Sequence, residues 1–330
     1  MRYFIWLIVI SLSFAQQVYA VAKTNEPIQP IPNPKISDQE KVELGKMLFF
    51  EPRLSKSQII SCNTCHNLSM GGGDNRPASI GHKWTIGPIK APTVFNSSLN
   101  IAQFWDGRAK DLKEQAAGPI ANDIEMGATH KLATETIASI PEYQKRFAKV
   151  YGKQPISIDT ITDAIATFEE TLLTPNSRFD QYLNGEETAI TQQEKSGYEL
   201  FKNVGCVACH NGQAVGGNSF QKMGLIKPYQ TENEKRGRIE LTGKPADDLM
   251  FKVPTLRNVS LNAPYFHDGQ YWKLEDAVKV MAEIQLGKDL TDTETRDIVA
   301  FLNTLNGERP QISLPLLPPS TNKTPRSQAN

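Results

Sequence analysis

Two pentapeptides constrain this chain more than anything else in it: Cys62-Asn63-Thr64-Cys65-His66 and Cys206-Val207-Ala208-Cys209-His210. Together they use all four cysteines of the 330 residues. Two thiols three positions apart can bond to the two vinyl groups of one porphyrin, and the imidazole that follows can reach its iron. This is the attachment pattern of a c-type haem. A structural zinc ribbon would bring its second cysteine pair within about 15–20 residues, but here the second pair starts only at Cys206. A thioredoxin-like dithiol would want a βαβ setting, which the surrounding pattern lacks. A disulfide inside each motif is the remaining alternative for an exported chain. Duplication of the motif, each copy behind the same helical pattern, favours two haems.

The duplication extends to the flanks. Ser37-Asp38-Gln39-Glu40 reads as a capping box opening a helix through Leu44, Met47, Leu48 and Phe49. Thr191-Gln192-Gln193-Glu194 opens a second through Tyr198, Leu200 and Phe201. Each unit closes on a helical period, Ile161, Ile165, Phe168 and Leu172 in one and Ile298, Phe301, Leu302 and Leu305 in the other. Strand-like alternation is scarce, although Arg238–Thr242 could be a short extended piece. The expectation is a mainly α protein with two cytochrome c-like domains, residues 37–175 and 176–309, each around one haem and carrying long loops. The stretches Ser69–Pro92 and Gly212–Lys244, rich in glycine and proline, need a bound group to wrap. A Pro-rich tail, residues 310–330, follows.

Composition narrows the class. Lys plus Arg number 36 and Asp plus Glu 36, and that balance disfavours nucleic acid or an anionic membrane surface as a partner. Arg2, the apolar run Phe4–Phe14 and Val18-Tyr19-Ala20 read as a signal peptide, residues 1–20, cleaved after Ala20. That run is short of the roughly twenty residues needed to span a bilayer. The expected mature chain is exported to the periplasm, with no membrane span, and begins with a lead-in over residues 21–36.

Axial ligands decide what each haem does. Beyond His66 and His210, only His82, His130 and His267 remain. His82 follows a Gly71-Gly72-Gly73-Asp74 loop that could move, and as a sixth ligand it would make a bis-His haem of low potential. Met281 lies on an apolar helical run with Ala277, Val278 and Val280, where it reads equally as core or as ligand to the second haem. His130 precedes a helix as an exposed or capping residue, and His267 is a rival ligand. Taken alone, Glu125 reads as a surface helix residue and Trp105 as core.

Six separated segments carry a resemblance: Leu44-Gly45-Lys46-Met47-Leu48-Phe49-Phe50, Ser61–Asn67, Ala102-Gln103-Phe104-Trp105-Asp106-Gly107-Arg108, Glu125-Met126, Pro254-Thr255-Leu256-Arg257-Asn258 and Pro264-Tyr265-Phe266-His267-Asp268-Gly269. The chain resembles the bacterial di-haem cytochrome c peroxidases. That likeness implies an enzyme reducing hydrogen peroxide to water with electrons from a small cytochrome c or blue-copper protein, and a homodimer. It implies His66 as proximal ligand of the low-potential haem where peroxide is reduced, and His82 as its distal ligand in the resting oxidised form. Glu125 falls at the position of the distal acid/base and Gln115 at that of its amide partner. Trp105 matches a tryptophan between the haems. His210 and Met281 match the axial pair of the high-potential haem. Arg257 is expected at a haem propionate, and His267 near the second haem. The chemistry agrees: a carboxylate can carry a proton between peroxide oxygens, and an amide can position or polarise them.

One departure stands out. The family commonly holds calcium between its domains through an Asn side chain and backbone carbonyls. The carbonyl positions match Asn262 and Pro264, but the Asn position is Lys90. An ammonium has no lone pair to give a hard cation, so calcium binding is expected to be weakened or replaced by Lys90 itself. Two rival functions remain, a non-catalytic di-haem electron carrier and a protein-modifying di-haem enzyme that matures a tryptophan-derived quinone. The latter relatives place a tyrosine where Met281 stands.

Overall fold

The structure, a computed structural model, describes residues 25–328. The leader and its cleavage site after Ala20 lie outside the described residues. The first half holds α1 (Gln39–Phe49), α2 (Cys62–Cys65), α3 (Leu112–Ala121), α4 (His130–Ala138), α5 (Pro141–Tyr151) and α6 (Ile158–Glu169). The second holds α7 (Arg178–Leu183), α8 (Gln192–Val204), α9 (Ile239–Thr242), α10 (Leu274–Leu286) and α11 (Asp292–Asn303). One antiparallel pair, β1 (Phe220–Lys222) and β2 (Met250–Lys252), lies in the second half. Arg238–Thr242 is therefore not extended. It turns into α9, which Gly243 ends at φ 66° in the left-handed region that favours glycine.

Helix starts follow local chemistry. Thr191 and Glu194 form the expected box, with Thr191 N–H donating to Glu194 Oε2 at 2.7 Å and Glu194 N–H to Thr191 Oγ1 at 3.3 Å. At α1 the cap is Asp38, which accepts from Lys41 N at 3.0 Å, one residue later than the Ser37 reading. Asp38 and Ser37 are both good caps, and the carboxylate sits where the first free N–H groups point.

Each half is organised by one helix crossing. In the first, α1 packs on α6, and in the second α8 packs on α11. A Cβ placed on Gly45 would lie 1.9 Å from the carbonyl oxygen of Ala164, and one on Gly197 would lie 1.9 Å from that of Asp297. Backbones approach this closely only because both positions lack a side chain. Around the first crossing Leu44, Leu48, Phe49, Ile161, Ile165 and Phe168 form a buried core. Around the second, Phe301 meets Phe179 and Tyr198, each at 5.0 Å between ring centroids.

A further repeat becomes visible only in three dimensions. Pro92-Thr93-Val94-Phe95-Asn96 and Pro254-Thr255-Leu256-Arg257-Asn258 end on left-handed asparagines, φ 62° and 59°. Both amides donate to the hydroxyl of Thr174, at 2.8 Å each. The copies continue in step, with Phe104 and Phe266 at φ 66° and 69° and with bridges Gln103–Ala109 and Tyr265–Tyr271. In this register Trp105 is the counterpart of His267.

The two ends cross over. Residues of the lead-in dock on the second half: Ile28 is buried in its core, Gly212 N–H donates to Pro27 O at 2.9 Å, and Tyr198 Oη donates to Glu26 at 2.7 Å. The tail docks on the first half, where Arg53 donates to Pro318 O at 2.9 Å and Gln58 to Pro325 O at 2.8 Å. Ile312 and Leu317 pack against the first core. No helix among the described residues is long and apolar enough to cross a membrane.

Placing a methyl group in either crossing forces the helices apart. Gly45→Ala and Gly197→Ala should each destabilise by at least about 1–3 kcal/mol. Gly118→Ala is the control, because a Cβ there would meet only the Phe104 ring, at an ordinary 3.4 Å. Chemical denaturation of the three variants checks this, and unchanged midpoints for Gly45→Ala and Gly197→Ala would show that the crossings are not close-packed.

Candidate functional site

Both Cys-x-x-Cys-His segments are wound so that the histidine is set by the first cysteine. His66 N–H donates to Cys62 O and His210 N–H to Cys206 O, both at 2.9 Å. Each ring is then fixed through Nδ1, for His66 by the Pro92 carbonyl at 3.0 Å and for His210 by that of Val215 at 3.3 Å. A ring donating through Nδ1 presents a bare Nε2, the arrangement found in histidines that ligate metals. Burial lowers the pKa of His66 and pushes that of His210 down to about 4, so both rings are neutral, as a ligand must be.

The thiols are free, and burial raises them, Cys65 to about 11 and Cys206 to about 12. No three His, Cys, Asp or Glu side chains among the described residues converge as a metal site. The pairs of thiols with a neutral, oriented imidazole fit a covalently attached haem in each half.

The surroundings of the two cradles differ in charge. Cys62 lies in the field of Glu169, and Cys65 in those of Asp74 and Glu125. No carboxylate bears on Cys206, Cys209 or His210 among the described residues. Glu125 sits in the turn that follows α3, not on a helix surface. Asn122 Nδ2 donates to its Oε1 at 2.6 Å. Burial raises its pKa, while Arg108 and the Asn122 bond draw it back. Arg108 itself lies over the Phe104 ring at 3.5 Å and pairs with Asp106 at 2.9 Å. Gln115 is half-buried on α3, the helix that leads into this turn. His130 caps nothing: it opens α4, and its Nε2 meets Ala117 O at 2.8 Å, tying α4 to α3.

His82 rests on the same turn. Its N–H donates to Glu125 O at 2.7 Å, and a Cβ on Gly127 would lie 2.5 Å from its ring. Both ring nitrogens are buried without a partner. Its charged surroundings are Lys56, Lys83 and Asp123, whereas His66 is surrounded by Pro92, Gly72, Asp74 and Lys90. The glycines expected to move do not look free. Gly72 N–H donates to Asn67 O at 2.9 Å and Thr93 Oγ1 to Gly71 O at 2.7 Å. The strain lies just after His82, where Lys83 and Trp84 are left-handed at φ 57° and 61°, at about 1–2 kcal/mol each. Trp84 is 77% exposed.

Between the halves, Trp105 Nε1 donates to Lys90 O at 2.8 Å and Lys252 N–H donates to Trp105 O at 2.8 Å. The Trp105 and His267 rings meet edge-on at 6.3 Å, and His267 stacks on Phe251 at 4.4 Å. Met281, half-buried on α10, packs with Met223, Leu249, Phe251 and Ile284. Asn262 is held by its own Nδ2, which donates to Asn258 O at 2.9 Å, and Pro264 follows on the same segment.

The Arg257 guanidinium is fully buried, paired with Asp180 at 2.7 Å and donating to Ser177 Oγ, Gln213 O and Gln29 O at 3.1, 2.8 and 2.8 Å. It ties the lead-in, α7 and the loop after the second motif together. The buried cation without an acid that sequence reasoning missed is Lys252, 7% exposed and brought down to about 8 by burial. Asn122 and Arg108 were also missed, and only the close approach of α3 and its following turn reveals them.

Comparison with known proteins agrees with this geometry. The family described as di-haem cytochrome c peroxidase matches residues 39–188, and the cytochrome c family matches residues 194–306. The cytochrome c551 peroxidase of Nitrosomonas europaea is 61% identical over 308 residues, covering 93% of this chain and 92% of that one. The cytochrome c551 peroxidase of Pseudomonas aeruginosa is 49% identical, covering 91% and 88%. Among solved structures, a MauG-like protein associated with microbial copper homeostasis superposes with a TM-score of 0.72 at 29% identity, covering 84% of this chain and 94% of that one. Two oriented histidine cradles of cytochrome c type, joined in one mainly helical chain and matched by such relatives along nine-tenths of its length, place this protein in the di-haem cytochrome c peroxidase family, as a peroxidase with two c-type haems.

Proposed function

We propose that this peroxidase reduces hydrogen peroxide to water in the periplasm, drawing electrons from a small cytochrome c or cupredoxin. The haem of residues 176–309 accepts them, and the haem of residues 37–175 is where peroxide is cleaved. The observation that carries this polarity is the one-sided placement of carboxylates. Glu125 is half-buried near Cys65, and no acid bears on the second cradle among the described residues.

When bound, the haems supply the electrons and the iron at which the O–O bond breaks. The chain supplies the proton handling. Glu125, its pKa raised by burial and drawn back by Arg108 and Asn122, can take a proton from one peroxide oxygen and return it to the other. The Asn122 amide holds its Oε1, leaving the other oxygen for substrate. Gln115 orients peroxide from α3. In this reading His82 would ligate the first iron in the resting oxidised form, and its two buried ring nitrogens have no protein partner that would compete for that role. His210 and Met281 hold the second iron, since a thioether ligand raises the potential and lets it accept from a mild donor. Trp105 and His267 occupy the seam that electrons cross.

Three outcomes are expected. Protein carrying a single electron should turn over peroxide with a reduced small cytochrome c, followed by donor oxidation, and absence of turnover with every donor would remove the catalytic reading. Glu125→Ala should lower kcat by about 10²–10⁴-fold with both haem spectra intact; unchanged turnover would take Glu125 out of the mechanism. Met281→His should lower the reduction potential of one haem and leave the other in place. Two unshifted potentials in a spectroelectrochemical titration would show that Met281 is not a ligand.

A further inference from the structure

The backbone N–H, backbone carbonyl and side chain of Lys90 all lie at the seam between the halves. Its N–H donates to His267 O at 2.9 Å, and its carbonyl accepts from Trp105 Nε1 at 2.8 Å. Its side chain is 4% exposed, and Nζ points to Ala91 O at 3.4 Å. No carboxylate pairs with it among the described residues; burial brings its pKa down to about 8, and the field of Asp74 favours its charge. Close by, Asn262 Oδ1 is buried without a partner and lies 3.3 Å from where a Cβ on Gly73 would be, and Ala91 O lies 3.7 Å from that same point.

A carbonyl, an unpartnered amide oxygen and a neighbouring acid make a set of acceptors that asks for a positive charge. A buried cation without acceptors is unstable, and so are buried oxygens without a donor. A divalent ion does not fit here, because Lys90 would hold a like charge against it and offers no lone pair. We infer that the Lys90 ammonium is a tethered cation that takes the place of a bound metal ion in the seam, meeting Ala91 O in the field of Asp74 and beside the unpartnered Asn262 Oδ1. Its single charge is supplied by the chain itself, so the seam assembles without dependence on calcium. The inference concerns assembly of the two halves and stands whether or not the roles proposed for Glu125 and His82 hold.

The test uses the purified holoprotein, with calcium chloride and EDTA as probes. Calorimetric titration of the natural protein should show no stoichiometric calcium binding, and its Tm should be the same in EDTA and in millimolar calcium. Lys90→Asn should bind one calcium at least tenfold more tightly than the natural protein, and its Tm should rise with added calcium. Lys90→Met keeps the bulk of the side chain and removes the charge. Its Tm should fall, and calcium should not restore it. Tight calcium binding by the natural protein, loss of its Tm in EDTA, failure of Lys90→Asn to gain calcium, or an unchanged Tm in Lys90→Met would each overturn the inference.

Discussion

One hydroxyl joins the two halves of this protein. Thr174 Oγ1 accepts from Asn96 and from Asn258, each at 2.8 Å, and Asn96 Oδ1 accepts in turn from Thr174 N–H at 2.9 Å. Each asparagine ends a Pro-Thr-x-x-Asn segment. The proline that opens the first copy gives its carbonyl to His66, and the proline that opens the second lies against His210. The two proximal imidazoles are therefore oriented by equivalent backbone, and both pieces of backbone are referred to one buried threonine. Asn tolerates the left-handed conformation that this geometry needs better than most residues. The identity of the histidine ligands depends on the cysteine motifs, but their aim depends on this joint.

Against that symmetry, the difference between the halves is electrostatic. Glu125, Asp74 and Glu169 surround the first cradle, and burial pushes Glu169 up to about 8 with an oxygen left unpartnered. Among the described residues no acid bears on His210, which meets the carbonyls of Val215 and Pro254. That one-sided placement of carboxylates is what supports the proposed division of labour. The exchange of chain ends reinforces the pairing. Ile28 from the lead-in is buried in the second core and Ile312 from the tail packs on the first, so neither half closes its core without the other's segment.

Much of this was legible in the residues, for physical reasons that also explain what was not. The haem cradles and the closing helices were readable because covalent attachment demands a fixed spacing and a helix face demands a fixed period. The Thr191 box was readable because its two hydrogen bonds are local. The second repeat was hidden. Trp105 and His267 share a place in the backbone but no chemistry, and what is preserved between the copies is the left-handed turn at Phe104 and Phe266, not a pattern of hydrophobicity. The pairing of Arg257 was hidden for a related reason, since its partner Asp180 lies far off in sequence. Glu125 looked like a helix residue because nothing local signals that α3 ends at Ala121 and turns back over its own last turn. The close packing of the glycine loop was hidden too: glycine permits motion, and Gly71 and Gly72 here also permit close approach to Leu261, Thr93 and Phe95.

The central claim is that the halves divide the work, with the first iron opening for peroxide and the second holding an electron. Electron paramagnetic resonance on the fully oxidised and half-reduced holoprotein tests it most directly. The account predicts that adding one electron abolishes the signal of the His210 haem and converts the His66 haem from a six-coordinate low-spin signal to one with an open position, as His82 leaves the iron. A His66 signal unchanged by that electron, or loss of the His66 signal first, would contradict it.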